Sequence, residues 1–228
     1  QSVRIDELNN DFEQQVNNIS QRIAKAMSNT LKISTNPEIQ SFFSTHGDQG
    51  DCVLQYVTVI RPLLTYMWET SSPEIRSLRF YTNNKSLFSN LTIQNVHKLQ
   101  NSDFLINVQN QLTGRSAVVD LITEARNYYG VEYSSAKTLS VFAAVLTTDN
   151  WETYVECELS FNEIYQNLSF ATNGFATTDY ILLYKTGDVL FASDDKWIAD
   201  ALSTVSSMSS DGDDRIKNKR LMQDGKTY

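Results

Sequence analysis

The densest grouping of residues suited to holding a small solute is Glu124-Ala-Arg-Asn-Tyr-Tyr-Gly-Val-Glu-Tyr133. Arg126 offers a planar fork of donors that fits a carboxylate bidentately or the hydroxyls of a sugar. Tyr128, Tyr129 and Tyr133 add flat aromatic faces with polar tips, and such surfaces line small-solute pockets. Asp120 stands just before this segment, and Tyr154 lies on a later strand-like run. The same residues also read as a solvated loop charge and as tyrosines packed on a sheet with their hydroxyls at the surface. Other chemistry finds little footing. His46 and His97 are far apart and have no metal-like neighbours. Asp211-Gly-Asp-Asp214 has Met222 where an EF-hand calcium loop needs a glutamate. There is no zincin pair, nucleophile elbow or Gly-rich phosphate loop. Asp and Glu are abundant, but no spacing singles out a catalytic pair. Cys52 and Cys157 lack metal-ligand spacing, and Cys157 shares a strand face with Val155 and Leu159, the pattern of a buried thiol. No metal, no cofactor and no catalysis by this domain are expected.

A formal charge of −8 and a pI near 4.8 argue against nucleic acid or an anionic membrane surface as a direct partner. At 228 residues the chain is long enough for one large domain or two small ones, and its composition is globular. No apolar run approaches the roughly 18 residues that span a bilayer. No signal peptide is legible, so the chain reads as soluble as given.

The elements that must position these residues follow from periodicity. Leu8, Phe12, Val16, Ile19, Ile23, Met27 and Leu31 recur at three- and four-residue steps, which predicts one long helix over 3–33. Asn36-Pro37 caps and opens a short helix through Phe43. Val53 to Trp68 is helical by spacing, with Pro62 set to kink or divide it. Strands are predicted at Ile75–Thr82, Ser86–Ser89, Ala117–Ile122, Thr138–Thr147 and Thr153–Leu159. Asn95–Leu112 is helical or irregular, and Phe161–Leu168 is a helix capped by Ser160. Tyr81–Ser89 matches Tyr184–Ala192 without a gap, which pairs Tyr81 with Tyr184, Leu87 with Leu190 and Phe88 with Phe191. Asn83-Asn84 and Gly187-Asp188 supply the turn residues, so two copies of one hairpin are expected. A helix over Lys196–Met208 and a strand-like run toward Tyr228 complete the pattern.

A long helix, two strands, helices and three antiparallel strands form the order of a PAS-like sheet. Two such units on one spine helix resemble the extracellular double Cache sensor domains of bacterial receptors, and most closely those of YesM-like sensor histidine kinases. The resemblance rests on Ile75-Arg-Ser-Leu-Arg-Phe-Tyr-Thr-Asn-Asn84, Thr138–Val145, Tyr154–Ser160, Phe161–Leu168 and Tyr180–Phe191, and covers roughly 5–228. The family's Trp-Tyr pair after the second strand is replaced here by Asp103-Phe104-Leu105. Arg126-Asn127-Tyr128-Tyr129 imitates part of the amino-acid-binding signature of Cache domains but lacks its tryptophan.

The resemblance implies an α+β fold: a helical spine over 1–70, a membrane-distal PAS-like unit over 71–168 and a membrane-proximal unit over 169–228. Both sheets would be antiparallel, the second left incomplete. It places the ligand between the first sheet and its cover, with Asp120, Arg126, Tyr128, Tyr129, Tyr133 and Tyr154 as the candidate contacts. It also implies an extracellular or periplasmic location on a transmembrane receptor, with membrane helices flanking this segment. The partner would be a small solute or a solute-loaded binding protein, and the family's link to carbohydrate uptake suggests a sugar. The apolar stripe on residues 8–31 is expected to pack on the chain's own two sheets for most of its length, the alternative being a pairing with a second copy as a parallel dimer. The competing classes are a chemoreceptor or diguanylate cyclase sensor and a secreted solute-binding protein.

Overall fold

The uninterrupted stripe from Leu8 to Leu31 folds as one helix, α1 (Ser2–Ser34), of 33 residues, about 50 Å long at 1.5 Å per residue. This computed structural model describes residues 2–70, 74–99, 102–128, 131–134, 138–148, 151–160, 164, 181–183, 189–192, 222–223 and 226–227. Two units divide the chain: one holds residues 1–20 and 165–228, the other residues 21–164. The helix α1 therefore contributes to both.

In the larger unit, α2 (Pro37–Phe43) starts where Asn36 accepts hydrogen bonds from the Glu38 and Ile39 N–H groups. The helix expected over Val53–Trp68 is divided, as Pro62 required. A segment α3 (Gln49–Gln55) passes through one π turn (Tyr56–Ile60) into α4 (Arg61–Glu69). Pro62 has no N–H to donate to Thr58 and its ring crowds that carbonyl, and the wider turn relieves both.

The sheet comprises β1 (Ile75–Thr82), β2 (Ile93–Asn95), β3 (Ala117–Ile122), β6 (Thr138–Ala144) and β7 (Thr153–Leu159) in the order β2-β1-β7-β6-β3. Between β3 and β6 lie two further short strands, β4 (Arg126–Tyr128) and β5 (Val131–Ser134), which pair with each other. Within the segment read as a loop over 124–133, residues 126–128 and 131–133 thus belong to paired strands. Between β2 and β3, α5 (Asp103–Leu112) buries Leu105, Val108 and Leu112 at helical spacing.

Two expectations fail here. The sheet is mixed rather than antiparallel, because β2 runs parallel to β1 with Phe80 opposite Ile93 and Thr82 opposite Asn95. The hairpin over Tyr81–Ser89 does not form, and Ser86–Ser89 is not a strand. Asn84 explains both. It is fully buried, and its side-chain amide donates to the Phe43 and Thr45 carbonyls, each at 3.0 Å. The chain is thereby drawn toward α2 instead of folding back along β1. Asn90 then turns it into β2 by accepting from the Thr92 and Ile93 N–H groups at 2.8 and 2.7 Å.

Alternation along the strands gives the sheet two chemically different faces. On one, Phe80 of β1 meets Phe43 of α2 with ring centroids 4.7 Å apart, and the buried Cys157 thiol lies beside the Thr30 side chain of α1. On the other, Tyr81, Val118, Ile122, Phe142 and Tyr154 pack with Leu105, Val108 and Leu112 of α5. Both faces of β6 and β7 are covered, so almost every residue of these strands is buried.

In the smaller unit, β8 (Ile181–Leu183) and β9 (Val189–Ala192) pair antiparallel, with Leu182 opposite Phe191. The second matching segment thus has the strand pairing that the first lacks. Two short strands, β10 (Met222–Gln223) and β11 (Lys226–Thr227), also pair antiparallel. Of the helix expected over 161–168 only Ile164 is described; it is helical, and its N–H donates to the Ser160 carbonyl at 3.1 Å. The helix expected over Lys196–Met208 and the loop 209–214 lie outside the described residues.

Candidate functional site

On the face covered by α5, two carboxylates stand side by side on the central strand β7. Glu156 and Glu158 point the same way because they are two residues apart, and both are buried. On neighbouring β1, Arg79 lies opposite Glu156 and Ser77 opposite Glu158; on β6, Phe142 and Ser140 lie opposite the same two residues.

These registers set the contacts. Glu156 has no exposed surface. It accepts hydrogen bonds from the Tyr81 hydroxyl at 2.5 Å, the Ser140 hydroxyl at 2.6 Å and Nη1 of Arg126. Glu158 accepts from Nη1 of Arg79 at 2.8 Å and from the Ser77 hydroxyl at 3.1 Å. Arg79 also lies 3.8 Å from Glu156, and Nη2 of Arg126 lies 3.6 Å from Glu158. Arg76, largely solvent-exposed, sits at the rim 3.6 Å from Glu158. Two guanidiniums and two carboxylates therefore balance within one buried cluster, as the cost of burying charge requires.

Arg126 is the outlier in origin. It comes from β4, outside the five-stranded sheet, yet only 1% of it is exposed. Its guanidinium also donates to the Thr138 hydroxyl at 3.0 Å and lies over the Phe104 ring, 5.5 Å from the centroid. The solvated loop charge considered from sequence is thereby excluded. Phe104 itself packs edge-on against Tyr81 at 5.5 Å.

Of the sequence candidates, Arg126 and Tyr154 both lie on this face, Tyr154 in the apolar cluster beside Tyr81. Burial raises the Tyr154 pKa, and Glu152 raises it further. Asp120 shares the face on β3 and accepts from the Gln111 amide of α5 at 2.9 Å. Tyr128 and Tyr133 lie on β4 and β5, with side chains outside the described residues, as is Tyr129 altogether.

Sequence reasoning missed Arg79, Tyr81, Ser140, Glu156 and Glu158 as site residues. The available signal was the alternation Tyr154-Val-Glu-Cys-Glu-Leu159 beside a strand carrying two arginines. A glutamate face normally means a solvated one, and only the cover by α5 and Arg126 reverses that meaning.

A separate open groove of 610 Å³ lies between α2 and the β6–β7 connection, lined by Pro37, Gln40, Ser44, Leu146 and Thr148 among others. None of its described lining residues is charged, and it is too open to strip water from a ligand, so the buried cluster is the stronger site. No family model matches the chain, and no curated protein matches it.

Proposed function

We propose that this chain is the signal-sensing region of a bacterial transmembrane receptor of the double Cache kind, with a YesM-like histidine kinase as its host. It would bind a small solute, alone or carried by a partner protein, on the α5-covered face of the larger unit and pass a conformational change along α1. The observation that carries this is the polar cluster centred on Glu156. It lies between a sheet and its helical cover, in a unit that runs from the long helix through α2, α3 and α4 to β1 and β2, then α5, then the antiparallel β3, β6 and β7, with the β4–β5 pair between β3 and β6. A buried, hydrogen-bonded charge cluster adds little to stability compared with apolar packing, which favours a role other than stability. The parallel β2 is a departure from the hairpin of the resembled pattern.

The ends of β1 and β7 also meet α1. Arg22 of α1 lies 4.0 Å from Glu74 and donates to the Ile164 carbonyl at 3.3 Å, while the Ser160 N–H donates to Glu74 O at 2.7 Å. A shift at β7 thus has a direct mechanical route to α1. A ligand drives such a shift only by binding its two states unequally.

A thermal-shift screen of sugars, amino acids, carboxylates and amines on the purified domain tests the proposal. At a concentration of about 100 times Kd a true ligand stabilises by about 2.7 kcal/mol, a shift of several degrees. If no class moves Tm, direct solute sensing fails.

A further inference from the structure

Building on the sensor proposal, we infer that the site takes an organic cation, with Arg126 as its resident occupant. Several partners of the Arg126 guanidinium come from outside its own hairpin: Glu156 and Glu158 from β7, Thr138 from β6 and Phe104 from α5. A carboxylate on one side, an aromatic face on another and a hydroxyl at the edge form the receptor that recognises an alkylammonium or guanidinium. The receptor is organised without its guest. The Tyr81 and Ser140 hydroxyls orient Glu156, and Arg79 and Ser77 orient Glu158, all from the central strands.

Charge balance selects the ligand class. Glu156 and Glu158 are offset within the cluster by Arg79 and Arg126. Arg76 also reaches Glu158 from the rim, but withdrawing Arg126 leaves the fully buried Glu156 charge without its hydrogen-bonded cation, Arg79 standing 3.8 Å away. A sugar would leave that charge bare and a carboxylate would double it, whereas a monocation restores neutrality. The structure also indicates which group yields. Arg79 is fixed in the middle of the sheet, while Arg126 rides on a hairpin whose three- and four-residue strands pair with each other, and a two-stranded unit is marginal by itself. Exchange of ligand for Arg126 would therefore release the β4–β5 hairpin, and this release would be the signal.

The test is a titration of the Arg126→Ala and wild-type domains with methylguanidinium, using methylurea as its neutral isostere and acetate as an anion. Tm and calorimetric affinity are the readouts. Methylguanidinium should recover part of the Tm lost in Arg126→Ala and bind that variant at least about tenfold more tightly than wild type, where the tethered guanidinium competes. Methylurea and acetate should do neither. Equal effects of methylguanidinium and methylurea, or no effect of either, overturn the assignment. If Arg126→Ala does not fold, Arg126→Lys keeps the charge on a shorter stem; it should still bind methylguanidinium more tightly than wild type, and failure to do so also overturns the assignment. The result is independent of any receptor output. A sugar ligand found in the wild-type screen, with no response to methylguanidinium in the variant, would refute the cation and leave the sensor proposal standing.

Discussion

Glu156 accepts three hydrogen bonds and has no exposed surface, so each partner removed leaves a group that cannot find water. Arg126→Met and Glu156→Gln should each cost about 3–5 kcal/mol in urea unfolding, with the double variant costing at least about 1.5 kcal/mol less than the sum. Strict additivity would mean that the two do not interact. Tyr81→Phe removes a donor to a charged acceptor and should cost about 1.5–3 kcal/mol. The thiol behind the same strand gives a pH signature. Burial pushes Cys157 from its ordinary 9.0 up to about 12, with Glu156 adding to the rise and the Thr30 hydrogen bond opposing it. Between those values the unfolded chain has lost a proton that the native chain keeps. The contribution of Cys157 to stability is therefore complete below pH 9.0 and is lost as pH rises toward about 12, at about 1.4 kcal/mol per unit. Unfolding curves across this range should fall less steeply for Cys157→Ala than for wild type. A thiol reagent at pH 8 should label Cys157 only after unfolding.

The elements divide by whether local or distant contacts define them. The helices α1 and α2, the break at Pro62 and the strands β3 and β7 were legible because periodicity, a cap or a proline defines each locally. The course after β1 was not. Asn83-Asn84 carries a hairpin-turn signal, and what overrides it is a pair of hydrogen bonds from Asn84 to the Phe43 carbonyl at the end of α2 and the Thr45 carbonyl just past it, about 40 residues back in the chain. Asn84→Ala should cost about 2–4 kcal/mol by leaving two carbonyls unpaired. It should also raise amide exchange across 83–95 more than in β6 or β7. Uniform exchange changes would mean that Asn84 does not direct this loop. The site was half legible for a similar reason. Arg126 stood out by its company of tyrosines, but Glu156 and Glu158 on an alternating strand look solvated until α5 is laid over them.

For the whole molecule, among the described residues no helix is long and apolar enough to cross a membrane. In the proposed sensor, α1 contributes to both units, and the contacts of Arg22 with Glu74 and the Ile164 carbonyl fasten it to the sheet. Arg22→Ala should leave solute affinity within about threefold while changing amide exchange in α1, since it removes a coupling contact and not a binding one. A larger loss of affinity would move Arg22 into the binding site. The most direct measurement is hydrogen–deuterium exchange of the wild-type domain with and without the solute that most raises its Tm. Protection should rise in β7 and α5, exchange should rise in β4 and β5, and α1 should change near Arg22. Protection confined to the open groove around Pro37, Ser44 and Thr148, with β7 and β4 unmoved, would contradict a sensing site at Glu156.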